Sequence, residues 1–228
     1  MNIITISAGS NCYLISDRER HLMIDAGAPG MAAKIERTLA QNKIAIDQIS
    51  FLVLTHGHSD HIGNAAVFQE KYGLPIVIHA NDIALIDNPL SQPMQATHPI
   101  GKMIKWMGKG SMQKHPPKTF KPDLVINGPE TNRLGFGETI YPLPGHTRGS
   151  IAISFPSGEL FVGDTLMNLI GPQPAYLWDD IAALQKSVQA VVQLPVKTIY
   201  YGHGRPTPIS KVVQQRSQRN SLEFKMLY

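Results

Sequence analysis

Short runs rich in apolar and β-branched residues at 3–6, 11–16 and 20–24 predict three strands, and the AGAPG turn after them leads into a helical pattern near 30–41. Residues 49–54 form an almost continuous apolar run containing Ile49, Phe51, Val53 and Leu54. The run is too short for a helix and apolar on both faces, which predicts a strand covered on both sides. The helical pattern of HIGNAAVFQEKYG closes at Gly73, residues 74–79 give another buried strand, and residues 81–87 a short helix. Strand and helix therefore alternate through residue 87, the pattern of an α/β chain.

Residues 88–122 interrupt this alternation with six prolines and four methionines, a length unusual for a passive connection. An inserted lid is expected there. Within it Ile100, Met103, Ile104 and Met107 recur at i, i+3, i+4 and i+7, with Lys102, Lys105 and Lys109 elsewhere on the wheel, the signature of a short amphipathic helix. Strands follow near 124–126, 133–136, 138–143, 150–155 and 159–163, with turns at Gly137 and at 156–158. A helix near 179–193, a strand at 197–201 and a terminal helix near 208–225 complete a chain read as one domain over residues 1–228.

Composition narrows the class. Hydrophobic residues make up 43% and charged residues 17%, a globular balance. The formal charge of +4 is uneven: residues 88–122 carry six of the 21 basic residues and no Asp or Glu, leaving 15 basic against 17 acidic elsewhere. The basicity belongs to one segment, a weak footprint for nucleic acid. No apolar run approaches the ~20 residues of a membrane span, and the N-terminus lacks a basic region followed by an apolar core. The single cysteine, Cys12, excludes an intrachain disulfide and any multi-cysteine metal site. A cytoplasmic location is the resulting expectation, and a homodimer is left open.

The chemistry is concentrated at residues 55–61, Thr-His-Gly-His-Ser-Asp-His. In shuffled chains of this composition the H-x-H-x-D-H pattern arises only about 4 times in 10,000. In an extended loop alternate residues project to one side, so His56, His58 and Asp60 can converge while His61 opens the following helix from another angle. Imidazole with carboxylate is the donor set of catalytic zinc, with iron or manganese tolerated. Three further positions set a ligand-type side chain beside glycine at a strand end: Gly145-His146, Gly163-Asp164 and Gly202-His203. Taken singly, each also reads as an ordinary strand-end turn, and the first motif as a loop of hydrogen-bonded histidines. Asp25, in LMIDAG, reads equally as a turn residue or as an acceptor that orients a histidine.

These motifs resemble those of the metallo-β-lactamase fold superfamily of metal hydrolases, and the resemblance spans the chain except residues 88–122. It implies an αββα sandwich of two mixed sheets with two divalent metals at one edge. His56, His58 and His146 would hold one metal, Asp60, His61 and His203 the other, with Asp164 between them. It further implies a metal-bridging hydroxide as nucleophile and Asp60 as proton acceptor.

Departures from the known branches select among activities. The β-lactamases proper carry cysteine where this chain has Asp164. Glyoxalase II enzymes add a glutathione-binding helical region, whereas this chain ends 25 residues after His203. The acyl-homoserine lactonases place tyrosine three residues after the bridging aspartate, where Met167 stands here, with Tyr176 as a substitute. Met167, Tyr176 and Trp106 are the expected pocket residues. The favoured activity is hydrolysis of a small thioester, lactone or ester, which the lysines would attract if it is anionic. The alternatives are a phosphodiesterase or nuclease, which the lysines would suit, and a mononuclear iron persulfide dioxygenase.

Overall fold

The computed structural model describes residues 1–89 and 94–221, with the side chains of residues 109, 111–113 and 216–221 left aside. Two six-stranded sheets carry the architecture. The first runs in chain order through β1 (Asn2–Ala8), β2 (Ser10–Asp17), β3 (Arg20–Ile24), β4 (Ile49–Val53), β5 (Ile76–His79) and β6 (Leu124–Ile126). Its first three strands pair antiparallel and the rest parallel, the latter joined by crossovers that contain α1 (Ala32–Gln41), α2 (Ser59–Ile62), α3 (Ala65–Tyr72), α4 (Ile83–Asp87) and α5 (Pro99–Lys114). The second sheet contains β7 (Glu130–Thr131), β8 (Thr139–Pro142), β9 (Ile151–Ser154) and β10 (Glu159–Phe161). After a small hairpin of β11 (Leu166–Met167) and β12 (Gln173–Pro174) and helix α6 (Ile181–Val191), β13 (Thr198–Tyr200) and β14 (Thr207–Pro208) complete it in the order β14-β13-β10-β9-β8-β7. Helix α7 (Ile209–Ser221) follows.

The period-two pattern of the strands explains the layering. In β2, Tyr13 and Ile15 face the second sheet and join Ile24, Val53, Ile153 and Phe161 in the core between the sheets. Their neighbours Cys12 and Leu14 face the opposite way, against Leu39 of α1, Phe68 of α3 and Ile86 of α4. The second sheet does the same: Ala152, Leu160 and Ile199 turn outward onto Leu184, Val188 and Val191 of α6 and Val212 of α7. The result is the helix, sheet, sheet, helix sandwich, and β4 is apolar on both faces because each face is covered.

Several local readings are revised. Residues 133–136 are not a strand: Asn132 and Gly135 take positive φ, and the buried Glu138 carboxylate accepts from the amides of Leu134 and Phe136, folding the segment into a turn. The helix expected from His61 to Gly73 breaks into α2 and α3. A Cβ at Gly63 would lie 2.3 Å from the Pro29 nitrogen, and Asn64 donates to the carbonyls of Ala26 and Ala28, which pins the break to the β3–α1 loop. The helix in the insertion is longer than expected, Pro99–Lys114. Residues 222–225 of the expected terminal helix and 90–93 of the insertion lie outside the described residues.

Phe161 sits where the sheets meet, 1% exposed, stacked on Tyr200 at 4.6 Å and edge-on to Tyr13 at 5.0 Å. Phe161→Ala is expected to cost about 3–5 kcal/mol of unfolding free energy, read from a urea titration at constant m-value.

Candidate metal centre

Strands β8, β10 and β13 point their C-terminal ends to the same edge of the sandwich, since β8 and β10 both run antiparallel to β9 and β13 is parallel to β10, and the loop after β4 meets that edge where the Ile151 amide donates to the Thr55 carbonyl. His56 and His58 follow β4, Asp60 and His61 open α2, His146 follows β8, Asp164 follows β10 and His203 follows β13. All seven converge. Ligand-type atoms of His56, His58 and His146 lie within 4.8 Å of one another, as do those of Asp60, His61 and His203, and those of His56, His61 and Asp164. Glycine allows this approach: a Cβ on Gly202 would fall 2.0 Å from Asp164 Oδ1, and one on Gly163, at φ 52°, would fall 2.6 Å from Thr55 Oγ1.

The outer ring nitrogens of three histidines fix their tautomers. His61 Nδ1 lies 2.8 Å from Asp25 Oδ2, and His146 Nδ1 lies 2.8 Å from the Leu177 carbonyl. The Thr55 hydroxyl donates to Asp25 and so accepts from His56 Nδ1 at 3.1 Å. Each of these Nδ1 atoms is a donor, which turns the Nε2 toward the centre of the cluster. There the rings meet without satisfying one another: His56 Nε2 and His146 Nε2 are 3.2 Å apart. His58 Nε2, His61 Nε2 and Asp164 Oδ1 are buried with no hydrogen-bond partner. Buried lone pairs left unpaired cost about 1–3 kcal/mol each, more when charged, and a shared cation would satisfy them together. The donor set therefore fits divalent metal.

Electrostatics divide the cluster. Burial pushes His58 down to about 3, with His146 adding to it. It pushes His146 down to about 4, against the Leu177 carbonyl. Burial, reinforced by the neighbouring His61, also holds His56 well below its ordinary value, so these three rings are neutral. Burial opposes charge on His61 too, but the carboxylates of Asp25, Asp164 and Asp60 outweigh it and raise that ring to about 10. His203 is raised by Asp164 and Asp60 in the same way, its Nε2 lying 3.0 Å from Asp60 Oδ2 and 3.4 Å from Asp164 Oδ2. This half of the site selects positive charge, as protons on the two rings or as a cation in their place.

A cavity of about 300 Å³ opens over the cluster, lined by His58, Asp60, His146, Asp164 and His203 together with Met167, Tyr176 and residues of the insertion. Trp106, expected in this pocket, does not line it: the ring is 77% exposed on the outer face of α5, because Ile100 and Ile104 take the inward face. Asp25, at φ 61°, is fully buried at the end of β3 and accepts from the Thr55 amide and hydroxyl as well as His61. Among the described residues no helix is long and apolar enough to cross a membrane.

Residues 8–203 match the family model described as the metallo-beta-lactamase superfamily. The probable metallo-hydrolase YflN of Bacillus subtilis is 27% identical over 222 residues, covering 86% of this chain and 81% of its own. The probable metallo-hydrolase MJ0888 of Methanocaldococcus jannaschii is 26% identical over 206 residues, covering 86% and 87%. Among solved structures, the metallo-beta-lactamase family protein TTHA1429 of Thermus thermophilus superposes with a TM-score of 0.72 at 18% identity over 96% of this chain and 79% of its own. TTHA1623, solved in a di-iron-bound form, superposes with a TM-score of 0.66 at 25% identity over 94% and 98%.

Sequence reasoning missed the residues that hold these loops in place. Asn11 clamps the His203 loop by donating to the carbonyls of Tyr201 and Gly204, and Ser10 donates to the Asp60 carbonyl at 2.6 Å. The fully buried Asp82 accepts from the Gly57 amide at 2.8 Å, the Gly149 amide at 2.7 Å and the Thr147 hydroxyl at 2.7 Å, tying the His56–His58 loop to the His146 turn. The only local signal was an acidic residue opening a short helix, which has many ordinary explanations. Asp82→Ala removes the acceptor of three buried hydrogen bonds and is expected to lower unfolding free energy by about 3 kcal/mol, with Asp82→Asn recovering part of it through its remaining oxygen, both read by denaturant titration.

Proposed function

The chain belongs to the metallo-beta-lactamase superfamily, and from that premise we propose that it is a metal-dependent hydrolase with a dinuclear site, acting on a small thioester, lactone or ester. The observation that carries the reading is the convergence of seven buried or half-buried His and Asp side chains on one point, with His58 Nε2, His61 Nε2 and Asp164 Oδ1 left buried and without a hydrogen-bond partner. In this reading His56, His58 and His146 hold one cation, Asp60, His61 and His203 the other, and Asp164 lies between them. Its carboxylate is within 3.8 Å of His61, His146 and His203, which supports the bridging position. Zinc is the proposed metal on its donor preferences, with manganese tolerated. Iron is the second choice, favoured by the di-iron form of TTHA1623.

Two divalent cations held there supply Lewis acidity toward a carbonyl oxygen and lower the pKa of a water to near 7. The remaining tasks fall to the chain. Asp60 is the proposed proton acceptor, because burial alone would raise its carboxyl while His61 and His203 hold it ionised below the usual range. Its side chain reaches the cavity and keeps Oδ2 against His203 Nε2. Asp25 and the Leu177 carbonyl orient the rings of His61 and His146. Hydrolysis balances as cleavage of the acyl C–O or C–S bond, with the hydroxyl of water going to the acyl carbon and its proton, by way of Asp60, to the leaving oxygen or sulfur. Residues 88–122 act in this reading as the lid of a single domain spanning 1–228, acting in the cytoplasm.

Asp164→Ala is expected to keep its circular dichroism and thermal transition, to lose about one equivalent of metal by elemental mass spectrometry, and to lose on the order of 10³-fold or more in kcat/KM on a thioester, lactone and ester panel. Two equivalents of metal with full turnover in that variant would overturn the assignment. One iron per chain in the native protein, with oxygen consumption, would replace it with the redox alternative.

A further inference from the structure

The polar groups of the cavity over the cluster are gathered on one side. Apart from the Ser59 hydroxyl and the His115 ring, its charged, hydroxyl and imidazole side chains are those of the cluster and Tyr176, and the rest of the described wall is made by Met94, Ile104, Met167, Leu169 and Leu177 with small residues between them. The Tyr176 hydroxyl is engaged by the Gln173 amide, which leaves its ring as the surface offered. Among the described side chains no lysine or arginine lines the cavity. The described lysine side chains of the insertion are engaged or exposed: Lys105 Nζ donates to the Met94 carbonyl, Lys118 pairs with Glu70 at 2.8 Å, and Lys102, Lys114 and Lys121 are exposed. At about 300 Å³ the cavity is at the small end of the ~300–1,000 Å³ typical of small-molecule sites.

One wall of this cavity belongs to α5, which is docked. Gln95 and Trp178 exchange backbone hydrogen bonds, and a Cβ on Gly101 would lie 2.6 Å from the Tyr176 carbonyl oxygen, so glycine lets the helix sit against residue 176. Two turns on, Gly108 also lines the cavity, and a Cβ there meets none of the described atoms within 4 Å. The helix thus presents Ile104 as a wall and leaves open space at Gly108.

We propose that the cavity takes an aliphatic, uncharged substituent of the scissile thioester, lactone or ester, and that Ile104 and Gly108 set the length of chain it admits. The proposal rests on the hydrolase reading and names its substrate class: neutral, acyl-chain-bearing carbonyl compounds rather than anionic ones. An apolar wall stabilises each methylene it removes from water but leaves a buried carboxylate without a partner.

The test uses the metal-loaded full chain on p-nitrophenyl esters with acyl chains of two to about twelve carbons, with a succinyl ester as the anionic counterpart. The expected result is a kcat/KM that rises about fourfold per methylene until the cavity is full, with butyryl preferred over succinyl by roughly tenfold or more. Gly108→Leu is expected to cut the octanoyl-to-acetyl ratio of kcat/KM by roughly tenfold, and Ile104→Ala to move the optimum to longer chains, both with metal content retained. Turnover that is flat in chain length, or a preference for the succinyl ester, overturns the cavity proposal and leaves the hydrolase reading standing. Absence of turnover on every ester, thioester and lactone with two metals bound overturns the hydrolase reading itself.

Discussion

The whole site depends on what touches the outer nitrogen of three buried imidazoles, those of His56, His61 and His146. Asp25, held in the left-handed region at the end of β3, uses both carboxylate oxygens to fix Thr55 and His61, and Thr55 in turn fixes His56. The Leu177 carbonyl does the same for His146. Once the Nδ1 atoms of His56, His61 and His146 are committed as donors, their Nε2 atoms turn toward the centre of the cluster, where His58 Nε2, His61 Nε2 and Asp164 Oδ1 find no hydrogen-bond partner. The price is borne by the sandwich, whose packed layers hold these groups against their own repulsion.

The layers can do this because the mixture of antiparallel pairs with the parallel β10–β13 pair ends β8, β10 and β13 at the same edge, where the loop after β4 meets them. The two sheets are then stitched across that edge by hydrogen bonds of high sequence separation. Asn11 and Tyr13 of β2 hold the carbonyls around Tyr201, the Ile151 amide donates to the Thr55 carbonyl at 2.8 Å, and Asp82 joins the first histidine loop to the turn after His146. Rigid strand ends place side chains more closely than free loops could, which is what a site for two neighbouring cations demands.

The insertion adds selectivity of a different kind. Its lysines suggest an anion, but tertiary packing turns Ile104 toward the cavity and carries Lys102 and the Trp106 ring outward. The outer surface of the segment carries the exposed Lys102 together with the exposed Met103, Trp106 and Met107, while Ile104 faces inward. An electrostatic attraction at long range and an apolar pocket at contact are separable properties of the same helix, and the cavity reports only the second.

Much of this was legible in the chain alone. The period-two strands, the two-faced apolar run of β4 and the strand-to-helix alternation follow from burial, which leaves its mark at each position separately. The ligand-type residues were legible because imidazole and carboxylate at H-x-H-x-D-H spacing, with glycine beside the later ones, is a local pattern. What depended on distant partners was not. The break between α2 and α3 comes from the β3–α1 loop pressing on Gly63, and the turn at 133–136 from the Glu138 side chain folding back on its own approach. The roles of Asn11 and Asp82 come from loops up to 193 residues away in sequence. Sequence determined which residues bear chemistry and which faces are buried, since both are properties of single positions and their near neighbours. The tertiary structure decided which lone pairs meet, which side of α5 faces the site and what shape of substrate fits beside it, because those are distances between segments, and no local pattern encodes a distance.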